Sequence, residues 1–131
     1  MSAGTLASTA VLGLALLGGL PAAMAEPSAA MRGRIAFLRC AACHALGAGE
    51  PHKTGPNLHG VIGAPAAQAA GYAYTPALRQ SGLRWDDATL RQWIHDPAAL
   101  VPGTSMAYVN ALGDADVEAL LVYLKAETRA R

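Results

Sequence analysis

Cysteine is scarce in this chain: Cys40 and Cys43 are the only two among 131 residues. A pair so close in sequence closes one short loop at most, which constrains the unfolded chain little. A disulfide-stapled scaffold is therefore excluded. Any excess of charge is also missing. Ten Lys and Arg stand against nine Asp and Glu, which leaves no electrostatic basis for binding nucleic acid. Sustained apolar–polar alternation, the mark of a half-buried strand, is absent, so no sheet is expected. The first 25 residues carry no charged side chain at all, and no internal repeat follows them.

That uncharged start contains the apolar run TLASTAVLGLALLGGL from Thr5 to Leu20, then Pro21, the small-residue triplet Ala23-Met24-Ala25 and the first acid, Glu26. An apolar core followed by an A-x-A site is the pattern of a secretory signal peptide, although no Lys or Arg precedes the run. An uncleaved membrane anchor is the alternative. Spanning a bilayer takes about 20 strongly apolar residues, and this run is shorter and diluted with Gly and Ser. The sequence thus predicts a signal peptide over residues 1–25, cleavage after Ala25, and one exported, periplasmic domain over residues 26–131. Within that domain Arg32, Arg34 and Arg39 cluster early, while Asp86, Asp87, Asp96, Asp114, Asp116 and Glu118 fall late. Both groups read as solvated faces.

The domain reads as helices joined by long loops. Ser28 is placed to cap a helix that runs into Cys40, with Gly33 and Phe37 on one face. Thr75-Pro76 followed by Gly82 gives the cap, first-turn proline and C′ glycine of a short helix. DDATLRQWIHDP has acids in its first turn, Leu90, Trp93 and Ile94 on one face, and Pro97 as its stop. Asp114 is the expected cap of a last helix in which Val117, Leu120, Leu121 and Leu124 follow the i, i+3, i+4, i+7 rule. The Ala/Gly/Pro-rich stretch Gly63–Gly71 reads as surface loop. A long irregular segment from Ala45 to Gly71 needs something to wrap around, and a bulky apolar cofactor would serve.

The stretch CAACH, residues 40–44, admits three chemistries. A redox dithiol of the thioredoxin kind expects a strand before the motif, whereas the flanks here are helical. Structural zinc needs four ligands at metal-like spacing, and His52, His59 and His95 are scattered. Covalent haem fits best: in C-x-x-C-H the cysteines form thioethers with haem. The i, i+3 spacing puts both sulfurs on one side of a helical turn, and His44 can point at the iron. If His44 takes one axial position, a second ligand is wanted. Of the two methionines after Ala25, Met31 is too near in sequence, which leaves Met106 at the end of PGTSM.

In order along the chain stand CAACH, HKTGPNLHGVIG at 52–63, GYAYT at 71–75, Trp85, Leu90, Pro97, PGTSM at 102–106 and LLVYL at 120–124. With these, residues 26–131 resemble a class I cytochrome c of the mitochondrial and related bacterial type. The resemblance implies an all-α fold in which the N- and C-terminal helices cross, Gly33 and Phe37 meeting Leu120 and Tyr123, and loops enclose one haem c. It implies covalent attachment through Cys40 and Cys43, with His44 as proximal and Met106 as distal ligand. The Pro56 carbonyl would take the His44 Nδ1 proton, and Tyr74 and Trp85 would donate to a haem propionate. Leu58, Leu90 and Ile94 would line the crevice, and Thr104 would order the methionine loop. His52 and His59 are expected to be structural or surface residues, not ligands, and His95 to be exposed.

With both axial positions filled, the resemblance implies an electron carrier and not an enzyme. It would be a monomer, shuttling single electrons between a donor and an acceptor redox protein, periplasmic or membrane-bound. A dedicated cytochrome subunit of a periplasmic oxidoreductase is the alternative, and a haem-free CxxC thiol oxidoreductase a distant third. The sequence departs from the family pattern at Ala64, where an arginine is usual, and at Trp93, in place of a tyrosine. Ala98, Ala99 and Ser105 stand where docking lysines are found. Arg39 and Lys53 remain near the expected haem edge, so docking should be apolar and only weakly salt-sensitive, with Tyr108 at the contact.

Overall fold

The computed structural model describes Met1, Gly4 and residues 25–129. The expected signal peptide falls almost wholly outside the described residues. Five helices follow one another: α1 (Ala29–Ala41), α2 (Pro76–Gln80), α3 (Asp87–His95), α4 (Pro97–Leu100) and α5 (Asp114–Glu127). Among the described residues the only strand-like pairing is an isolated antiparallel bridge between Pro65 and Arg84.

Local chemistry sets most helix ends. Ser28 Oγ accepts from the Met31 N–H at the start of α1. Thr75 and Pro76 open α2, and Gly82, at φ +66°, turns the chain out of it. Asp86 Oδ1 takes the Thr89 N–H of α3, and this hydrogen bond holds its carboxyl below the usual range.

Three boundary readings change. Pro97 does more than stop α3: it opens α4, whose cap is Asp96, with Oδ1 accepting from the Ala99 N–H. Proline lacks the N–H that a first-turn residue leaves unpaired anyway, so it starts a helix as readily as it ends one. Asp114 is not the cap of α5 but its first helical residue. Gly113 is the cap and makes no side-chain hydrogen bond, while the Asp114 carboxylate lies 3.5 Å from His95 Nε2. There it still favours the helix electrostatically, at the positive end of the dipole. Gly63–Gly71 is not all surface: Ala66 is buried, and its N–H donates to the Leu83 carbonyl beside the Pro65–Arg84 bridge.

Packing centres on the crossing of α1 and α5. A β-carbon at Gly33 would lie 2.7 Å from Tyr123 Cβ and closer still to the Ala119 carbonyl oxygen, so only glycine lets the two backbones approach this far. Phe37 packs on Tyr123 with ring centroids 5.7 Å apart. Val117, Leu120, Leu121 and Leu124 of α5 are buried, Val117 and Leu120 fully. α3 lies across α5 through the pairs Arg91–Glu118 and Asp87–Lys125. Being exposed, these pairs orient the contact and add little to stability.

Candidate functional site

The last turn of α1 delivers Cys40. The chain then tightens so that the N–H groups of both Cys43 and His44 point at the Cys40 carbonyl, at 3.0 and 2.9 Å. Lys53 caps the same helix end by donating from Nζ to the Ala41 carbonyl at 2.7 Å. The imidazole of His44 is fixed from below, its Nδ1 donating to the Pro56 carbonyl at 2.7 Å. That bond leaves Nε2 unprotonated and free to bind. Burial lowers the His44 pKa, against the opposing pull of the Pro56 carbonyl.

Two residues whose part sequence reasoning missed hold this arrangement. Gly55 sits under the ring, where a β-carbon would fall 2.8 Å from His44 Nδ1. Asn57 braces the loop: Nδ2 donates to the carbonyls of Gly47 and Glu50 at 2.7 and 2.9 Å, and Oδ1 accepts from the His59 N–H at 2.7 Å. Their signal was present in the triplet Gly55-Pro56-Asn57, a turn-forming sequence wedged between two histidines. His52 joins two loops, accepting from Asn57 N at Nδ1 and donating from Nε2 to the Ala70 carbonyl. Both its ring nitrogens are thus engaged.

His44 looks into a cavity of about 510 Å³. Cys40, Cys43, His44, Pro56, Leu58, Tyr74, Trp85, Leu90, Ile94 and Met106 all line it. Phe37, Trp93, Leu120 and Leu124 complete an apolar wall drawn from the main core. Trp93 stands against Trp85 with ring centroids 5.1 Å apart. The Tyr74 hydroxyl accepts the Ala69 N–H at 3.1 Å, so its own proton is left to donate. Burial raises the pKa of this phenol and keeps it protonated. Gly103, at φ +91°, turns the chain before Met106, and the Met106 N–H donates to Thr104 Oγ1 at 3.3 Å.

The donor set decides which chemistry fits. As a thiol, Cys40 is pushed up to about 11 by burial and by neighbouring Cys43, which leaves little thiolate to attack a disulfide. Among the described residues no metal cluster is assembled either: His52 is bound to backbone, and His95 faces Asn110 and Asp114. A large apolar cavity with two sulfurs, an oriented imidazole and a thioether on its walls suits a haem. The residues present fit that group.

Comparison with known proteins agrees. The family model for cytochrome c matches residues 30–127. Cytochrome c2 of Rhodoblastus acidophilus is 44% identical over 92 residues, 70% of this chain and 86% of that protein. Cytochrome c of Arabidopsis thaliana is 43% identical over 91 residues, 70% of this chain and 81% of its own length. The solved structure of cytochrome cH from Methylobacterium extorquens superposes with a TM-score of 0.69 at 44% identity, covering 74% of this chain and 97% of that one. A cavity of this composition with CAACH on its wall, in a fold and sequence so shared, makes the chain a member of the cytochrome c family: a class I cytochrome c that carries one haem c through Cys40 and Cys43 and transfers electrons without being an enzyme.

Proposed function

We propose that the protein is exported by cleavage after Ala25, leaving residues 26–131 as one periplasmic domain. There it shuttles single electrons as a monomer between a donor and an acceptor redox protein, soluble or membrane-bound. The observation that carries this reading is the convergence of His44 and Met106 on one apolar cavity, with the Nδ1 proton of His44 already spent on Pro56. Haem, when bound, supplies a reversible one-electron couple.

The chain's own residues set the terms of that couple. His44 would ligate through Nε2, and the Pro56 carbonyl fixes its ring plane and raises its basicity. Met106 would offer a soft thioether as the second ligand, which would favour the reduced state over what a second imidazole would give. Leu58, Leu90 and Ile94 keep water out, which disfavours the more highly charged oxidised state. Tyr74 and Trp85 present donors for a propionate. With His44 and Met106 both engaged on the haem, the protein would leave no open coordination position for a substrate.

Docking would fall on the loop that carries Met106. Val109 there is 86% exposed, beside half-buried Tyr108, and no lysine flanks them. Lys53 is partly withdrawn from that task by its bond to Ala41. An apolar contact of this kind suits a weak, transient encounter.

The test is Met106→Ala in the exported holoprotein. Loss of the sulfur–iron charge-transfer band and a lower reduction potential are expected. A variant that kept both at parental values would remove Met106 as ligand. A tightly bound protein that persists through purification would favour a dedicated oxidoreductase subunit over a free carrier.

A further inference from the structure

The segment between α4 and α5 carries Met106, yet its backbone is barely held. Among the described residues, no backbone–backbone hydrogen bond has its donor or acceptor in residues 105–112. Side chains must therefore fix it, and Asn110 supplies most of what is found. Its Oδ1 accepts from the Tyr108 hydroxyl at 3.2 Å and from the Leu112 N–H at 3.0 Å. Its Nδ2 donates to the Leu112 carbonyl and to His95 Nδ1, both at 3.2 Å.

Two amide lone pairs and two amide protons are all that an asparagine side chain offers, and all four are used. The orientation is not arbitrary. Leu112 presents its N–H to Oδ1 and its carbonyl to Nδ2, and a flipped amide would set donor against donor and acceptor against acceptor. With Nδ2 fixed, His95 Nδ1 has to be the acceptor. Its proton then sits on Nε2, which faces Asp114 Oδ1 at 3.5 Å.

We propose that Asn110 is the positioning residue of the methionine loop, tying Tyr108 on the cavity wall to His95 at the end of α3 and to the entry of α5. Asn110 does not line the cavity, whereas Tyr108 and Met106 do. It acts through the loop by making the movement of Met106 away from the cavity costly. The proposal rests on Met106 as the distal ligand.

Imidazole added to the ferric holoprotein measures that cost, because it can bind only when Met106 swings away. Asn110→Ala should bind imidazole about tenfold more tightly, the effect expected when roughly one net hydrogen bond stops opposing the opening. Tyr108→Phe and His95→Ala, which each remove one of the four bonds, should each give about a two- to fivefold increase. These two variants decide the matter if Asn110→Ala does not fold. Gly33→Ala, which strains the distant α1–α5 crossing, should lower the unfolding midpoint without changing imidazole affinity. Unchanged affinity in all three loop variants, with the charge-transfer band present, would overturn the proposal and leave Asn110 a purely structural residue. A parent protein without that band would bring down the Met106 assignment and this proposal together.

Discussion

Gly55 shows how a residue with no side chain can set the chemistry of its neighbour. The His44 ring lies flat against the space a β-carbon would occupy, 2.8 Å from Nδ1, and its bond to Pro56 leaves it nowhere to go. Gly55→Ala must either push the imidazole off that carbonyl or displace the loop that Asn57 braces. Overpacking of this sort costs about 1–3 kcal/mol, so the denaturant midpoint of the holoprotein should fall accordingly. An unchanged midpoint would mean that the ring yields freely. The proposed ligands, His44 and Met106, stand out by spacing and resemblance because each is a reactive residue in a rare pattern. Gly55 and Asn110 do not, because their work depends on what folds next to them. Nothing in the sequence says that an imidazole will rest on one and that four hydrogen bonds will converge on the other.

Helices were legible where their own residues decide them. Ser28, Thr75 and Asp86 cap as their hydroxyl or carboxylate chemistry dictates. The start of α5 differs by one residue from the sequence expectation because two acceptable caps, Gly113 and Asp114, adjoin, and local propensity does not choose between them. From sequence alone Pro97 reads as a stop, because its power to begin α4 depends on Asp96 serving both helices at once. At the α1–α5 crossing the two levels compete directly. Alanine is favoured over glycine inside a helix by about 1 kcal/mol, so Gly33→Ala should stabilise α1 taken alone. In the folded protein its β-carbon would meet the Ala119 carbonyl and Tyr123 Cβ. The carbonyl is backbone and cannot rotate aside, so tertiary strain should win. A net loss of about 1–2 kcal/mol is expected from urea unfolding of the holoprotein, and a gain in stability would show that the helices can separate at little cost.

At the scale of the whole molecule, the core and the haem cavity are largely the same residues: Phe37, Trp85, Leu90, Trp93, Ile94, Leu120 and Leu124 belong to both. Without haem these side chains would line an open, hydrated cleft, and each Å² of apolar wall left in water would forgo about 25 cal/mol of stabilisation. Fold and cofactor are therefore one thermodynamic unit, which is why a small chain can keep so long a loop from Ala45 to Gly71. The same economy shapes its outer surface. Formal net charge is +1, Lys53 is tied to a helix end, and the methionine loop exposes a large apolar side chain, Val109. A carrier steered by charge loses association rate steeply as salt rises, because the screening length shortens from about 30 Å at 0.01 M to about 10 Å at 0.1 M. An apolar docking surface has little of that steering to lose. Stopped-flow electron transfer between this protein and its physiological partner should therefore slow by no more than about threefold over that range of salt. A drop of tenfold or more would show that a charged surface guides the encounter, and would move the docking site away from Tyr108 and Val109 towards the arginines of α1.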